Sequence, residues 1–282
     1  MISVGTGSLR NGLGLVRPPG HHAEHGQPLG FCFFNNVALA AKQYRRLFNK
    51  RVVIFDWVRR SNSPGISLVT VMSFCRTFTT VTGPSSSSTQ TPRFSISPST
   101  GMTEATSSLG PGLRRKLVSR DREVSGSKSN VCCWSGLSPG EGRNVNIAWS
   151  ASDLPLSDAE YLAAMRTVVC PIVRNFNPGV VLISAGFDAT QGHPPTIGGY
   201  NVSPACFASM TSSMLQFAEG KAVLALEGGY VGPAVAESVL ECLKVLLAES
   251  CSKVSTAELE RTPLKQAVLD IEKTIANLVS HF

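Results

Sequence analysis

Pro178-Gly179-Val180-Val181-Leu182-Ile183-Ser184-Ala185-Gly186-Phe187-Asp188 is the stretch that decides the fold. Val180 to Ser184 shows no polar alternation, which marks a strand covered on both faces. Helical patterns bracket it. Ser157-Asp158-Ala159-Glu160 is a capping-box sequence and predicts a helix over Ser157–Asn175. Ser203 as N-cap and Gly220 as C-cap predict a second helix over Ser203–Glu219. Ala222–Leu226 predicts the next strand, and helices follow over Gly232–Glu249 and Thr256–Ser280. Toward the N-terminus, an Ala-rich helix over Phe33–Phe48 precedes an apolar strand over Arg51–Trp57. Alternating helices and strands of this kind imply an α/β fold, a parallel sheet with helices on its faces in three layers.

Composition narrows the class. The chain has 282 residues, 43% hydrophobic and 16% charged, which suits a globular core and not a disordered chain. No apolar run reaches the roughly 18–20 residues of a membrane span, and no secretory h-region is expected near the N-terminus. The eight cysteines are scattered, and the adjacent pair Cys132-Cys133 cannot form a C-x-x-C unit. They are expected to be reduced, as in an intracellular protein.

The net charge of +7 is local. Residues 58–143 hold 11 basic and 4 acidic residues, and the remainder holds 15 of each. About a third of that segment is Ser or Thr, with the run Pro84-Ser85-Ser86-Ser87-Ser88-Thr89. Mostly loop or disorder is expected from about Arg59 to Leu137. The cluster Leu113-Arg114-Arg115-Lys116 lacks interleaved aromatics, so direct nucleic-acid binding is not expected.

Ligand sites in open α/β sheets lie beyond the carboxyl ends of the strands. There the sequence places Asp56, then Gly186-Phe187-Asp188, then Glu227-Gly228-Gly229-Tyr230. Arg17-Pro18-Pro19-Gly20-His21-His22 adds two imidazoles on a stiff backbone, suited to acid/base work near neutral pH. Singly, each feature has an ordinary explanation. A strand-end Asp caps a turn, a Gly-Gly-Tyr closes one over a ring, and paired histidines can decorate a Pro-rich loop.

Together these segments resemble the zinc-dependent histone deacetylase family. The resemblance is carried by Arg17-Pro18-Pro19-Gly20-His21-His22-Ala23-Glu24, Gly30-Phe31-Cys32-Phe33-Phe34-Asn35-Asn36, Gly142-Arg143-Asn144-Val145-Asn146-Ile147-Ala148-Trp149, Ser184-Ala185-Gly186-Phe187-Asp188-Ala189 and Leu226-Glu227-Gly228-Gly229-Tyr230. Gly192-His193-Pro194 with Gly198-Gly199-Tyr200-Asn201, and the C-terminal Leu264–Phe282, resemble class II and its class IIa branch. The match covers about residues 9–57 and 139–282. It implies an arginase/deacetylase-like fold, partly incomplete here, split into residues 1–57, a non-matching 58–138, and 139–282. It also implies hydrolysis of acetyl-lysine on histones or other proteins, a Zn²⁺ cofactor and a K⁺ ion. Co-repressor partners and a nuclear and cytoplasmic location come with it.

By motif, His21 and His22 are the implied catalytic pair, Tyr230 the oxyanion stabiliser and Asp188 one zinc ligand. Gly30 and Phe31 would line the lysine tunnel. Asp56 would orient a histidine and help hold the monovalent cation. Tyr230 departs from vertebrate class IIa members, which usually carry His there. The larger departure follows Asp56. The family reads Asp-x-Asp-x-His-His-Gly, whereas this chain reads Asp56-Trp57-Val58-Arg59-Arg60-Ser61-Asn62. Val58 and Arg60 stand at the positions of the other two zinc ligands, and neither can bind zinc. An impaired enzyme is therefore expected, with a non-catalytic co-repressor or acetyl-lysine-binding module as the alternative. The abruptness of the break points to a reading-frame slip or mis-spliced exon across residues 58–138, whose product need not be functional.

Overall fold

The computed structural model describes residues 1–23, 28–58, 60–63, 66–75, 144–150, 154–194 and 199–279. Seven strands form one sheet: β1 (Asn11–Gly14), β2 (Val52–Asp56), β3 (Arg60–Ser63), β4 (Ile66–Cys75), β5 (Asn144–Ser150), β6 (Val180–Ala185) and β7 (Ala222–Leu226). Across the sheet, β1, β7, β6 and β2 pair in parallel, in the registers Asn11↔Ala222, Val181↔Ala222 and Val52↔Val180. Antiparallel pairing begins at β4, with Val52↔Cys75 and Ser73↔Asn144. All five residues of β2 are buried. A one-turn helix, α1 (Ile2–Gly5), opens the chain. Val52 and Ile54 face α2 (Asn36–Phe48), packing with Val37, Ala41 and Tyr44. Val53, Phe55 and Trp57 face the larger core of the opposite layer. That alternation of burial on both faces makes a three-layer α/β sandwich, as expected.

The second helical layer contains α3 (Asp158–Ala164) and α4 (Cys170–Phe176), joined by a π-helical turn over Met165–Val169. It continues with α5 (Pro204–Leu215), α6 (Gly232–Leu246), α7 (Thr256–Glu260) and α8 (Lys265–Val279). The expected caps are in place. Glu160 Oε2 accepts the Ser157 N–H at 2.9 Å, and Ser203 Oγ accepts the Cys206 N–H at 3.1 Å. Asn35, which the sequence reading had set inside the first helix, is instead its N-cap, accepting the Ala38 N–H at 2.9 Å.

Three expectations need correction. Ser203–Glu219 is not one helix. α5 ends at Leu215, and a short 3₁₀ turn over Ala218–Gly220 leads into β7. Thr256–Ser280 divides at Pro263, which lacks an N–H and restricts the residue before it. Residues 60–63 and 66–75 form strands where mostly loop was expected, because Ile66, Val69, Thr70 and Val71 favour extended backbone. The rest of that expectation, from residue 76 to Leu137, lies outside the described residues, as does Cys132-Cys133. The expected parallel sheet is present in β1, β7, β6 and β2, and the antiparallel β4 extends it beyond β2. Among the described residues no helix is long and apolar enough to cross a membrane.

Candidate active site

Four parallel strands deliver chemistry to one edge. β1 hands its chain to the Pro-Pro-Gly-His-His loop, β2 ends in Asp56, β6 leads to Asp188, and β7 leads to Glu227 and Tyr230. Strand β1 has no apolar pattern, yet it is what carries the histidine pair to this edge.

His21 and Asp56 meet at the centre. Nδ1 lies 3.1 Å from Asp56 Oδ2, and both side chains are buried. The other Asp56 oxygen accepts the Val58 N–H at 3.0 Å. With Nδ1 donating to the carboxylate, Nε2 carries the lone pair of the neutral ring, the arrangement of a general base. The two histidine rings lie in contact, 4.1 Å apart between centroids and tilted by 50°. His22 lies against Gly30, where a Cβ would come within 2.6 Å of its ring. Gly30 has φ +56°, so this close approach and the turn both call for glycine.

Glu227 performs a task the sequence did not disclose. Its Oε2 accepts the Gly20 N–H at 2.6 Å and the His21 N–H at 3.1 Å, clamping the histidine loop to the end of β7. Oε1 has no hydrogen-bond partner among the described residues. Burial pushes this carboxyl above its ordinary range; the nearby His21 and the two N–H groups pull the other way.

His193 also proves structural, a role that the Gly192-His193-Pro194 motif did not disclose. Its Nδ1 lies 3.1 Å from the Thr190 carbonyl, while Nε2 accepts the N–H groups of Tyr230 at 2.9 Å and Val231 at 3.2 Å. The ring is therefore the Nδ1–H tautomer, and it ties the loop after β6 to the loop after β7. His193→Ala leaves two N–H donors without that acceptor. A loss of about 2 kcal/mol is expected, read as a lower urea midpoint at unchanged m. An unchanged midpoint would show that water replaces the ring.

Tyr230 is 58% exposed at the mouth of this edge. Its hydroxyl is held above the ordinary value by partial burial, then by the negative charge of Asp188. Phe31 is 78% exposed with φ +66°, so no tunnel wall opposite it is formed among the described residues. The structure thus gathers His21, His22, Asp56, Asp188 and Tyr230 at one edge, with Gly30 and Phe31 at its rim.

Among the described residues, the side chains at this edge do not fit a zinc ion. The Val58 methyls project between Gly186 and Gly228: a Cβ on Gly186 would lie 2.5 Å from Val58 Cγ2, and one on Gly228 would lie 3.3 Å from Asp188 Oδ2. A branched hydrocarbon thus stands beside the single carried-over ligand, Asp188. Arg60 lies on β3, in register with Leu68. Among the described residues no three His, Cys, Asp or Glu side chains converge to hold a metal.

Comparisons with known proteins are consistent in kind. The family model described as "Histone deacetylase domain" matches residues 1–57 and 125–246. Human Histone deacetylase 9 is 36% identical over 96% of this chain, which covers 23% of that protein. Human Histone deacetylase 7 is 37% identical over 97% of the chain, covering 25% of its length, and Histone deacetylase 4 of Caenorhabditis elegans is 36% identical over 97%, covering 28%. The chain therefore spans about a quarter of these relatives. Among solved structures, the histone deacetylase Clr3 superposes with a TM-score of 0.65 at 26% identity, over 100% of this chain and 39% of that one. The HD domain of HDA15 gives 0.66 at 27%, over 99% and 65%.

Proposed function

The chain belongs to the histone deacetylase family, on its class II side with class IIa character, and from that premise we propose that its site descends from an acetyl-lysine hydrolase and is catalytically impaired in this chain. One observation carries the reading: Val58 sets its methyl groups beside Asp188, between Gly186 and Gly228. Catalytic zinc needs three protein ligands and an open position, and the described residues offer one carboxylate and a hydrocarbon wall. In the family, zinc supplies the Lewis acid and activates water. What this chain retains is the protein's share: a buried imidazole on a carboxylate, a second imidazole tilted against it, and a tyrosine at the mouth.

Acetylated tails of histones or other proteins are the substrates this reading assigns, and transcriptional co-repressor assemblies the partners, in nucleus and cytoplasm. A monovalent cation such as K⁺ beside Asp56 belongs to the same reading. A non-catalytic module is the second reading, favoured by the exposure of Phe31 and Tyr230 at the rim, where an acyl-lysine stem could rest without being cleaved.

Two measurements on the purified chain test this. Plasma mass spectrometry is expected to find about 0.1 zinc per chain or less, and acetate release from an acetyl-lysine peptide is expected to stay at the uncatalysed level. About one zinc per chain together with acetate release would refute impairment while leaving family membership intact. Sequencing the transcript across residues 57–139 tests the frame-slip account: a message that encodes this segment in frame, as written, rules it out.

A further inference from the structure

The end of the sheet opposite the site gathers positive charge that the proposed function leaves unused. Each parallel strand begins there, and most of them are entered through a basic residue: Arg10 before β1, Lys50 and Arg51 before β2, and Lys221 before β7. Arg174, in the last turn of α4, joins them ahead of β6.

These side chains form one surface. The Arg10 guanidinium lies over Gly220, where a Cβ would come within 2.7 Å of its Nε. The Lys50 stem covers Gly179 in the same way. Lys221 pairs with Glu219, whose carboxyl also feels Lys50. Arg51 stands 5.5 Å from the centre of the Phe176 ring, and Arg174 stands 5.9 Å from that of Phe217. Among the described residues no carboxylate comes within ion-pair distance of Arg10, Lys50, Arg51 or Arg174. Part of this charge has an ordinary origin, since cations are favourable at the C-termini of α2 and α4. Helix dipoles do not account for Arg10, which precedes a strand, and Lys221 follows only a three-residue 3₁₀ turn.

We propose that this end of the sheet is a docking surface for an acidic protein segment, with Arg10, Lys50, Arg51, Arg174 and Lys221 as its contacts. Charge complementarity identifies the partner, and the sign pattern narrows it. Glu219, with its side chain 82% exposed, sits between Lys50 and Lys221. That interior negative charge disfavours a continuous phosphate backbone, whereas a peptide can space its carboxylates around it. The two aromatic rings are already covered by guanidinium groups, so bases find no platform for stacking. Glu249 follows the C-terminus of α6 at the same end, which makes the rim near β1 less positive than the centre. All five cations stand on backbone fixed at the starts of strands or at a helix end, so little backbone freedom remains to be lost on binding.

The test uses the full chain and a labelled dodecapeptide of alternating Glu and Ser, followed by fluorescence anisotropy. The triple variant Arg10→Glu, Lys50→Glu, Arg174→Glu is expected to weaken binding about tenfold or more. A control triple in the basic segment, Arg114→Glu, Arg115→Glu, Lys116→Glu, is expected to change it by less than about twofold. Equal binding by wild type and the first triple overturns the proposal. So does a DNA duplex that binds more tightly than the peptide and loses that binding in the first triple, which would make the surface a nucleic-acid site. A second measurement needs no variant. Carbodiimide coupling of the peptide to the wild-type chain, read by peptide mapping, should give adducts at Lys50 and Lys221. Adducts confined to Lys116 and Lys128 would overturn it.

Discussion

Arg261→Ala will cost about 3 kcal/mol of unfolding free energy at neutral pH, read from urea titrations. The reason is Glu160, whose side chain is fully buried. The Arg261 guanidinium donates to both Glu160 oxygens, at 2.9 and 2.7 Å, and reaches Ser157 Oγ at 2.6 Å and Glu258 at 3.1 Å. Backbone N–H groups of Ser157 and Leu264 also reach Glu160, each at 2.9 Å. Removing the arginine leaves a buried carboxylate with two N–H donors and no counter-charge. Arg261 is itself 30% exposed, so water can enter, which places the cost at the lower end of the usual range.

The loss will depend on pH in a way that identifies its cause. Burial pushes the Glu160 carboxyl up, but Arg261 and the N–H donors outweigh it and hold the group below its ordinary 4.5. A depressed folded pKa gives stability that is present above the unfolded value and disappears as the pH falls through the folded one. In the variant, burial dominates and the folded pKa rises. Glu160 then takes up a proton on acidification, and the deficit relative to wild type shrinks below about pH 5. A deficit constant from neutral pH to pH 4 would point to lost packing and not to an unpaired charge.

Trp57→Ala is expected to cost about 4 kcal/mol, measured the same way. The indole is fully buried, with Phe55, Phe187 and Phe207 at 5.6, 6.1 and 5.5 Å between centroids. Its Nε1 donates to the Gly186 carbonyl at 2.9 Å. Truncation opens a cavity beneath the loop bearing Asp188 and removes that carbonyl's donor. Trp57→Phe retains most of the volume and loses the hydrogen bond, so a cost of about 1–2 kcal/mol is expected. Equal losses in the two variants would mean that the hydrogen bond, not the ring stack, holds this corner.

Legibility in the sequence followed the kind of force involved. Buried strands such as Val180–Ala185 announce themselves because both faces must be apolar, and helix starts such as Ser157 and Ser203 because orphan N–H groups demand particular side chains. Asn11-Gly12-Leu13-Gly14 was invisible, since two glycines in four residues carry no pattern and β7 alone makes them a strand. The β-branched residues of β4 were hidden in a segment judged by its Ser and Thr content. Pro263, with no N–H to donate, marks the helix break by residue type alone. In the site, residue types pointed to His21, Asp56, Asp188 and Tyr230. The clamp of Glu227 on the Gly20-His21 backbone and the tether from His193 to Tyr230 and Val231 were not readable. Both join side chain to main chain across long separations, where no spacing rule operates.

The pairing of β1 with β7 also governs biosynthesis. Asn11 must wait for Ala222, about 210 positions later in translation. At the usual 5–20 residues per second, the histidine loop leaves the ribosome roughly 10–40 s before the strand that anchors it exists. Val52–Asp56 waits about 128 positions for Val180, although β4 reaches its other edge after about 23. A nascent chain holding one unmatched strand and one paired on a single edge for that interval is a client for holdase chaperones, and its yield in a cell will be set by how well that wait is guarded.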